Sequence, residues 1–387
     1  MTATLYERYG KYQVMLNWHQ EGKRKQKSVA TGILVQGKNK RQAEERRREI
    51  LAEWEQKITS NFVEILFSDY LLEWLEIVKY SIADSTYYSY KNTIEKQICP
   101  YFIQRKLKLH DVRPYHIQDF YAKQMKAKNL TGSTIHHYHA NIHKALRHAV
   151  QTELIRDNPA SKVILPRKER PRIEFYTVEE LRLLLEKVKG TRLETPVFLA
   201  VWFGMRRGEI VGLRWKDIDF NTNTVSVTGV IVDWGETSRA ENLKYKTGTK
   251  SVAGLRSFPL PPEVAEYLQK RKIEQEKNRA LLGNAYNTDW LDFVCVDEMG
   301  DLIRPRYITH MFPKFLRKHD LRVIRFHDLR DSNASLLLDK GVDMKLIQSW
   351  LGHAHYSTTA DIYAHLKAGA KRNLGNVLSS ELSDTFC

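Results

Sequence analysis

The stretch from Val197 to Trp215, VFLAVWFGMRRGEIVGLRW, constrains the fold more than any other. An apolar run halts at Gly204, yields to Met205-Arg206-Arg207-Gly208-Glu209, and resumes at once with Ile210. Arginine is almost never fully buried unless it is paired. A chain that sets one between two apolar segments must hold it with buried neighbours. Glu209 follows Arg206 by three residues, so the two share a helical face and the carboxylate can orient the guanidinium. The core must therefore form around a fixed cation.

The 387 residues suffice for two or three domains, and an apolar share of 42% supplies real cores. No run approaches the ~18 consecutive apolar residues that a membrane span requires. The opening MTATLYERYGKYQ has no apolar signal-peptide core. Cys99, Cys295 and Cys387 lie far apart with no CxxC pair, which speaks against a disulfide framework or a zinc knuckle. A reducing cytoplasm is the expected setting. The net charge of +16 points to nucleic acid rather than to a membrane.

Three regions follow one another. In residues 1–58, Tyr12, Val14, Leu16 and Trp18 alternate with polar residues, which predicts a strand with one buried face. Glu21-Gly22 signals a turn into a second strand region that ends near Thr31-Gly32. From Asn39 the spacing of Ala43, Arg47, Ile50, Leu51 and Trp54 predicts a helix. Lys23, Arg24, Lys25, Lys27, Arg46 and Arg47 belong to the basic clusters flanking this small sheet, and their expected role is contact with phosphates. Residues 60–165 read as all-helical. Leu71, Leu72, Trp74, Leu75 and Val78 mark one helix. Ser85 is placed to cap a second, which carries Tyr87, Tyr90, Ile94 and Ile98 toward Pro100. Ile135, Tyr138, Ile142, Leu146, Ala149 and Val150 mark a third, with Asn158-Pro159 as its stop. Residues 166–176 form a basic, proline-containing linker fit to lie across a DNA backbone. From Thr177 to Cys387 the chain is mostly helical with a small sheet. It opens on a capping box, Thr177 to Glu180, and carries strand candidates at Thr224–Ile231 and in GLRSFPLP.

The residues outside the apolar pattern form one set. Arg206 is joined by His327 and Arg330, three apart in HDLR and directed to one side of a helix. Leu351-Gly352-His353 reads as a helix end with Gly352 in the capping position, so His353 emerges from a turn. Tyr363 comes ten residues after it. The set lacks the paired carboxylates that magnesium needs. Two guanidiniums can instead grip the non-bridging oxygens of a phosphodiester and neutralise its growing charge. A tyrosine hydroxyl, pKa ~10 in water, can attack phosphorus once cationic surroundings or a base help remove its proton. The chemistry that fits is nucleophilic phosphoryl transfer.

GMRRGEI, HDLR and LGHAHYSTTADIYAHL, in that order and spacing, resemble the three catalytic boxes of the tyrosine recombinase (phage integrase) family. The likeness runs from Thr177 to Leu366. The TGSTIHHYHANIHKALRHAV helix resembles the family's core-type DNA-binding domain, and residues 1–58 its arm-type domain, as in integrases of conjugative transposons and temperate phages. The implied fold is multidomain and mainly α with small β-sheets. It comprises an α+β arm-binding domain at 1–58, an all-α core-binding domain at 60–165, a linker at 166–176 and a catalytic domain with its tail at 177–387.

By the same resemblance Arg206 and Arg330 hold the scissile phosphate, and Tyr363 is the nucleophile that forms a 3′-phosphotyrosyl bond. His327 assists proton transfer, His353 donates a hydrogen bond to the phosphate, and Glu209 supports Arg206. The family's general-acid lysine sits on a β-hairpin, six residues before an arginine that precedes a strand. Lys250 and Arg256 match that spacing, so Lys250 is preferred to Lys246. No metal, ATP or other cofactor is implied. The implied partners are double-stranded DNA at core-type and arm-type sites, three further copies of the chain in a tetramer, and an excisionase or host DNA-bending protein. The implied setting is the cytoplasm of a bacterial host, at the nucleoid. In the tail, Val377, Leu378, Leu382 and Phe386 are expected to dock on a neighbouring copy. Two other readings are a type IB topoisomerase-like enzyme and a DNA-binding regulator without catalysis.

Overall fold

The computed structural model describes residues 1–20, 23–59, 64–169, 174–234, 243–248 and 256–352. The chain divides into two compact units, Met1–Glu169 and Arg170–Cys387. Among the described residues no helix is long and apolar enough to cross a membrane.

The first unit opens with an antiparallel sheet of β1 (Thr2–Arg8), β2 (Lys11–Gln20) and β3 (Lys23–Leu34), in the order β1-β2-β3. Alternation buries Tyr12, Val14 and Leu16, and Val14 and Leu16 pack with Ile50 of α1 (Lys40–Thr59). β1 adds a strand that the sequence reading passed over, because its polar and apolar residues do not alternate cleanly. The Glu21-Gly22 turn lies outside the described residues.

A separate helical cluster follows: α2 (Phe67–Val78), α3 (Asp84–Thr93), α4 (Cys99–Arg105), α5 (Pro114–Lys128) and α6 (Gly132–Gln151). Tyr70 fastens α2 to α6 by donating to the Ala145 carbonyl at 3.0 Å. Three local expectations need correction. Ala83, not Ser85, occupies the cap of α3. Pro100 does not end a helix: a π-helical turn, Ile94–Ile98, leads straight into α4, and Pro100 sits in its first turn where its missing N–H costs nothing. α6 ends at Gln151, well before Asn158, whose side chain instead caps a short 3-10 turn by accepting from the Ala160 N–H at 2.9 Å. The segment read as unpacked linker is also partly tied down. His136 of α6 bonds the Pro166 carbonyl at 3.0 Å.

The second unit contains α7 (Val178–Lys187), whose Thr177–Glu180 capping box is formed, then α8 (Glu194–Phe203) and α9 (Arg207–Gly212). Two small sheets follow. One has the order β4-β5-β8, from β4 (Ile218–Asp219), β5 (Thr224–Val227) and β8 (Arg256–Pro259). The other pairs β6 (Gly229–Asp233) with β7 (Leu243–Thr247). The single strand expected over Thr224–Ile231 is therefore two, divided at Thr228 and serving different sheets. The helices α10 (Pro262–Leu282), α11 (Pro305–Lys318), α12 (Asp328–Asp339) and α13 (Met344–Leu351) complete the unit.

α9 lies hard against β6. A Cβ placed on Gly212 would stand 2.9 Å from both the Ile231 nitrogen and the Val230 Cα. Only glycine permits this backbone-to-backbone approach, which carries Arg206 and Glu209 into place. Gly212→Ala is expected to cost about 1–3 kcal/mol through overpacking, read as a lowered denaturation midpoint at unchanged m-value.

Candidate active site

The break between α8 and α9 is built by Gly204. It ends α8 in the left-handed region at φ 59°, and Arg206 is extended just before α9 begins. A Cβ on Gly204 would meet Leu351 Cδ2 at 2.6 Å, so this turn sits directly against the end of α13. Arg206 occupies the cap of α9. Its backbone N–H donates to Glu209 Oε2 at 2.8 Å and its guanidinium to Oε1 at 2.8 Å. The pairing of these two, three residues apart, is the one inferred from their spacing.

Arg330, in the first turn of α12, is only 1% exposed. One Nη donates to the Gly204 carbonyl at 2.6 Å and the other to the Leu351 carbonyl. Arg206 donates to the next carbonyl, Gly352, at 2.7 Å. Arg256, which begins β8, donates through Nε to the preceding one, Trp350, at 2.8 Å. Three guanidiniums thus take three consecutive carbonyls at the C-terminal end of α13. These are groups that a helix leaves unsatisfied, and its dipole favours cations there. Gly352 closes that helix in the left-handed conformation at φ 66°.

The electrostatics follow from this crowding. Burial and the Arg206 charge push Arg330 down to about 9, still well above neutrality, so it stays cationic. Burial works against the Glu209 carboxylate. Its bonds to Arg256 and Arg206 prevail and hold it below the usual carboxylate range. The cluster is three guanidiniums against one carboxylate, an excess of positive charge suited to an anion. His327 caps α12 and is exposed to solvent. Desolvation, reinforced by the Arg330 charge, lowers its pKa, so the imidazole is neutral at pH 7 and can accept or relay a proton. Asp328, 3% exposed, anchors the turn before it by accepting from the Arg325 N–H at 2.7 Å.

The structure therefore brings Arg206, Glu209 and Arg330 together, with His327 at the head of the Arg330 helix. Lys250, His353 and Tyr363 lie outside the described residues. So does the tail that carries Val377, Leu378, Leu382 and Phe386. Lys246 is on β7, its Nζ 5.6 Å from the Trp234 ring centroid. Of the basic residues in the first unit, Arg24, Lys25 and Lys27 are exposed on β3, and Lys27 Nζ lies over the Trp54 ring at 4.9 Å. The Lys23 side chain lies outside the described residues. Arg46 pairs with Glu49 at 2.6 Å, while Arg47 pairs with Glu44 and donates to the Ala3 carbonyl at 3.1 Å, bracing α1 against β1. Among the described residues no group of three or more His, Cys, Asp or Glu is placed to hold a metal ion.

Sequence reasoning treated Arg256 only as a spacing marker. A signal was present: Arg256 and Phe258 are two apart in a strand, hence on one face, and Phe258 is core.

Comparison with known proteins places this geometry. Residues 174–369 match the Phage integrase family profile, and residues 66–125 match that of the phage integrase N-terminal SAM-like domain. A tyrosine recombinase XerC-like protein of Caldanaerobacter subterraneus subsp. tengcongensis is 27% identical over 354 residues, covering 89% of this chain and 90% of its own. Two solved structures share the fold. A Tn1549 transposon integrase in complex with transposon right end DNA has a TM-score of 0.63 at 19% identity, covering 80% of this chain and 99% of its own. A lambda integrase tetramer bound to a Holliday junction has a TM-score of 0.57 at 17% identity, covering 92% and 94%.

Proposed function

This chain belongs to the phage integrase family, and from that premise we propose that it is the integrase of a mobile genetic element, with Tyr363 as its nucleophile. The family's tyrosine recombinases cut and rejoin DNA at specific sites without metal or ATP, and this chain is an enzyme of that reaction. Tyr363 Oη attacks a backbone phosphorus and forms a 3′-phosphotyrosyl bond. The bond to the 5′-oxygen breaks, and Lys250 supplies that oxygen with its proton. The phosphodiester energy is kept in the tyrosyl ester, so a 5′-hydroxyl from a second duplex can attack it and release the tyrosine.

Arg206 and Arg330 neutralise the non-bridging oxygens as charge develops on them. His327, neutral at pH 7, exchanges the proton of the attacking phenol, and His353 donates to the phosphate. One observation carries this assignment. Arg206 and Arg330 converge, from separate elements, on the carbonyls of Leu351 and Gly352, immediately before the segment that leads to Tyr363. The cations that would hold the phosphate thus also fix the point from which the nucleophile segment departs.

Four copies act on two duplexes in this reading, consistent with the fold shared with the lambda integrase tetramer on a Holliday junction. Residues 60–165 contact core-type sites. The sheet of residues 1–58, with Arg24, Lys25 and Lys27 exposed on β3, contacts separate arm-type sites. An excisionase or a DNA-bending protein of the host would set direction.

A supercoiled plasmid carrying two copies of the element's core site tests the reading. Exchange of the flanking segments, without metal or nucleotide, is the expected result. Relaxation without exchange would favour a topoisomerase, and binding without strand cleavage a regulator.

A further inference from the structure

Arg256 is buried, its side chain 7% exposed, beneath the cations assigned to the phosphate. It grips Glu209 with two nitrogens, Nη2 to Oε2 at 2.8 Å and Nη1 to Oε1 at 3.3 Å. Its Nε donates to the Trp350 carbonyl at 2.8 Å. Glu209, 2% exposed, therefore receives four donors, two from Arg206 and two from Arg256. One side chain thus ties the carboxylate that orients Arg206 to the helix end that leads toward Tyr363.

Resting on the function proposed above, we propose that Arg256 is a positioning residue for strand cleavage. It has two effects. It shares the negative charge of Glu209, which left to Arg206 alone would neutralise that guanidinium and draw it from the phosphate. It also fixes the end of α13, and so the origin of the nucleophile segment, relative to Arg206. Trp350 reinforces this join, its ring packed edge-on against Phe258 of β8 with centroids 4.6 Å apart. Arg256 touches neither the phosphate nor the nucleophile in this scheme; it acts through Glu209 and through the α13 carbonyl.

The test measures the rate of covalent adduct formation on a saturating nicked duplex carrying the element's core site, and the affinity for the same duplex. Arg256→Gln is expected to slow adduct formation about 100-fold, the size of loss that a misplacement near 1 Å produces, with affinity unchanged. In Glu209→Gln/Arg256→Gln the surplus carboxylate charge is gone as well, and the double variant is expected to cleave faster than Arg256→Gln alone. A merely structural role would make the double variant equal or worse, and that result overturns the proposal. Should Arg256→Gln fail to fold, Arg256→Lys keeps the charge but loses the two-pronged grip; a loss of about 10-fold is expected, and a wild-type rate overturns the proposal. No adduct from the unaltered chain would reject the proposed function itself. A wild-type rate in the Arg256 variants would reject only the role of Arg256.

Discussion

Tyr363→Phe is expected to abolish covalent attachment to DNA while leaving DNA affinity unchanged. The substitution removes one oxygen and preserves the ring, so the side chain keeps its size and shape. The oxygen is the only atom of the side chain able to attack phosphorus, and its loss leaves binding and charge stabilisation with nothing to activate. Deleting a nucleophile costs on the order of 10⁶-fold in rate. Adduct on a nicked duplex, read on a denaturing gel, should fall to background. A persistent adduct in this variant would place the nucleophile elsewhere.

Arg330→Ala should produce the second-largest loss. Arg330 carries a buried positive charge and also bonds the carbonyls of Gly204 and Leu351, which join the α8–α9 turn to the end of α13. Removing it leaves buried acceptors unpaired, at about 1–3 kcal/mol each. It also removes a cation proposed to stabilise the developing phosphate charge, for which the loss is about 10²–10³-fold in rate. Arg330→Lys keeps a charge but cannot span both carbonyls with one ammonium, so it should fold better than Arg330→Ala and still cleave slowly. Single-turnover rates below the melting temperature of each variant separate the two effects. Full activity in Arg330→Lys would show that the charge alone suffices and that the carbonyl bridge has no catalytic consequence.

What the sequence disclosed and what it concealed have different physical causes. The Arg206–Glu209 pair was legible because both partners lie on one local turn, where spacing fixes direction. The capping box at Thr177 and the glycine end of α13 were legible for the same reason. Arg256 was not, since its partners, Glu209 and Trp350, are 47 and 94 residues away and no periodicity encodes such a distance. The division of Thr224–Ile231 into β5 and β6 was hidden because alternation is the same in one strand or two, and only the partners β8 and β7 differ. Pro100 misled because proline is equally at home after one helix and in the first turn of the next. Motif order carried the family. The scaffold that aims the motif residues came from tertiary contacts.

In the proposed reaction fixed guanidiniums, not a bound ion, make one phenol competent to cleave and rejoin a DNA strand. The most direct measurement is mass spectrometry of the adduct trapped on a nicked core-site duplex in excess chelator, with no nucleotide present. A 3′-phosphotyrosyl bond localised to Tyr363 is expected, formed at the same rate with and without chelator. An adduct that needs a divalent ion, or one attached to any other side chain, would contradict it.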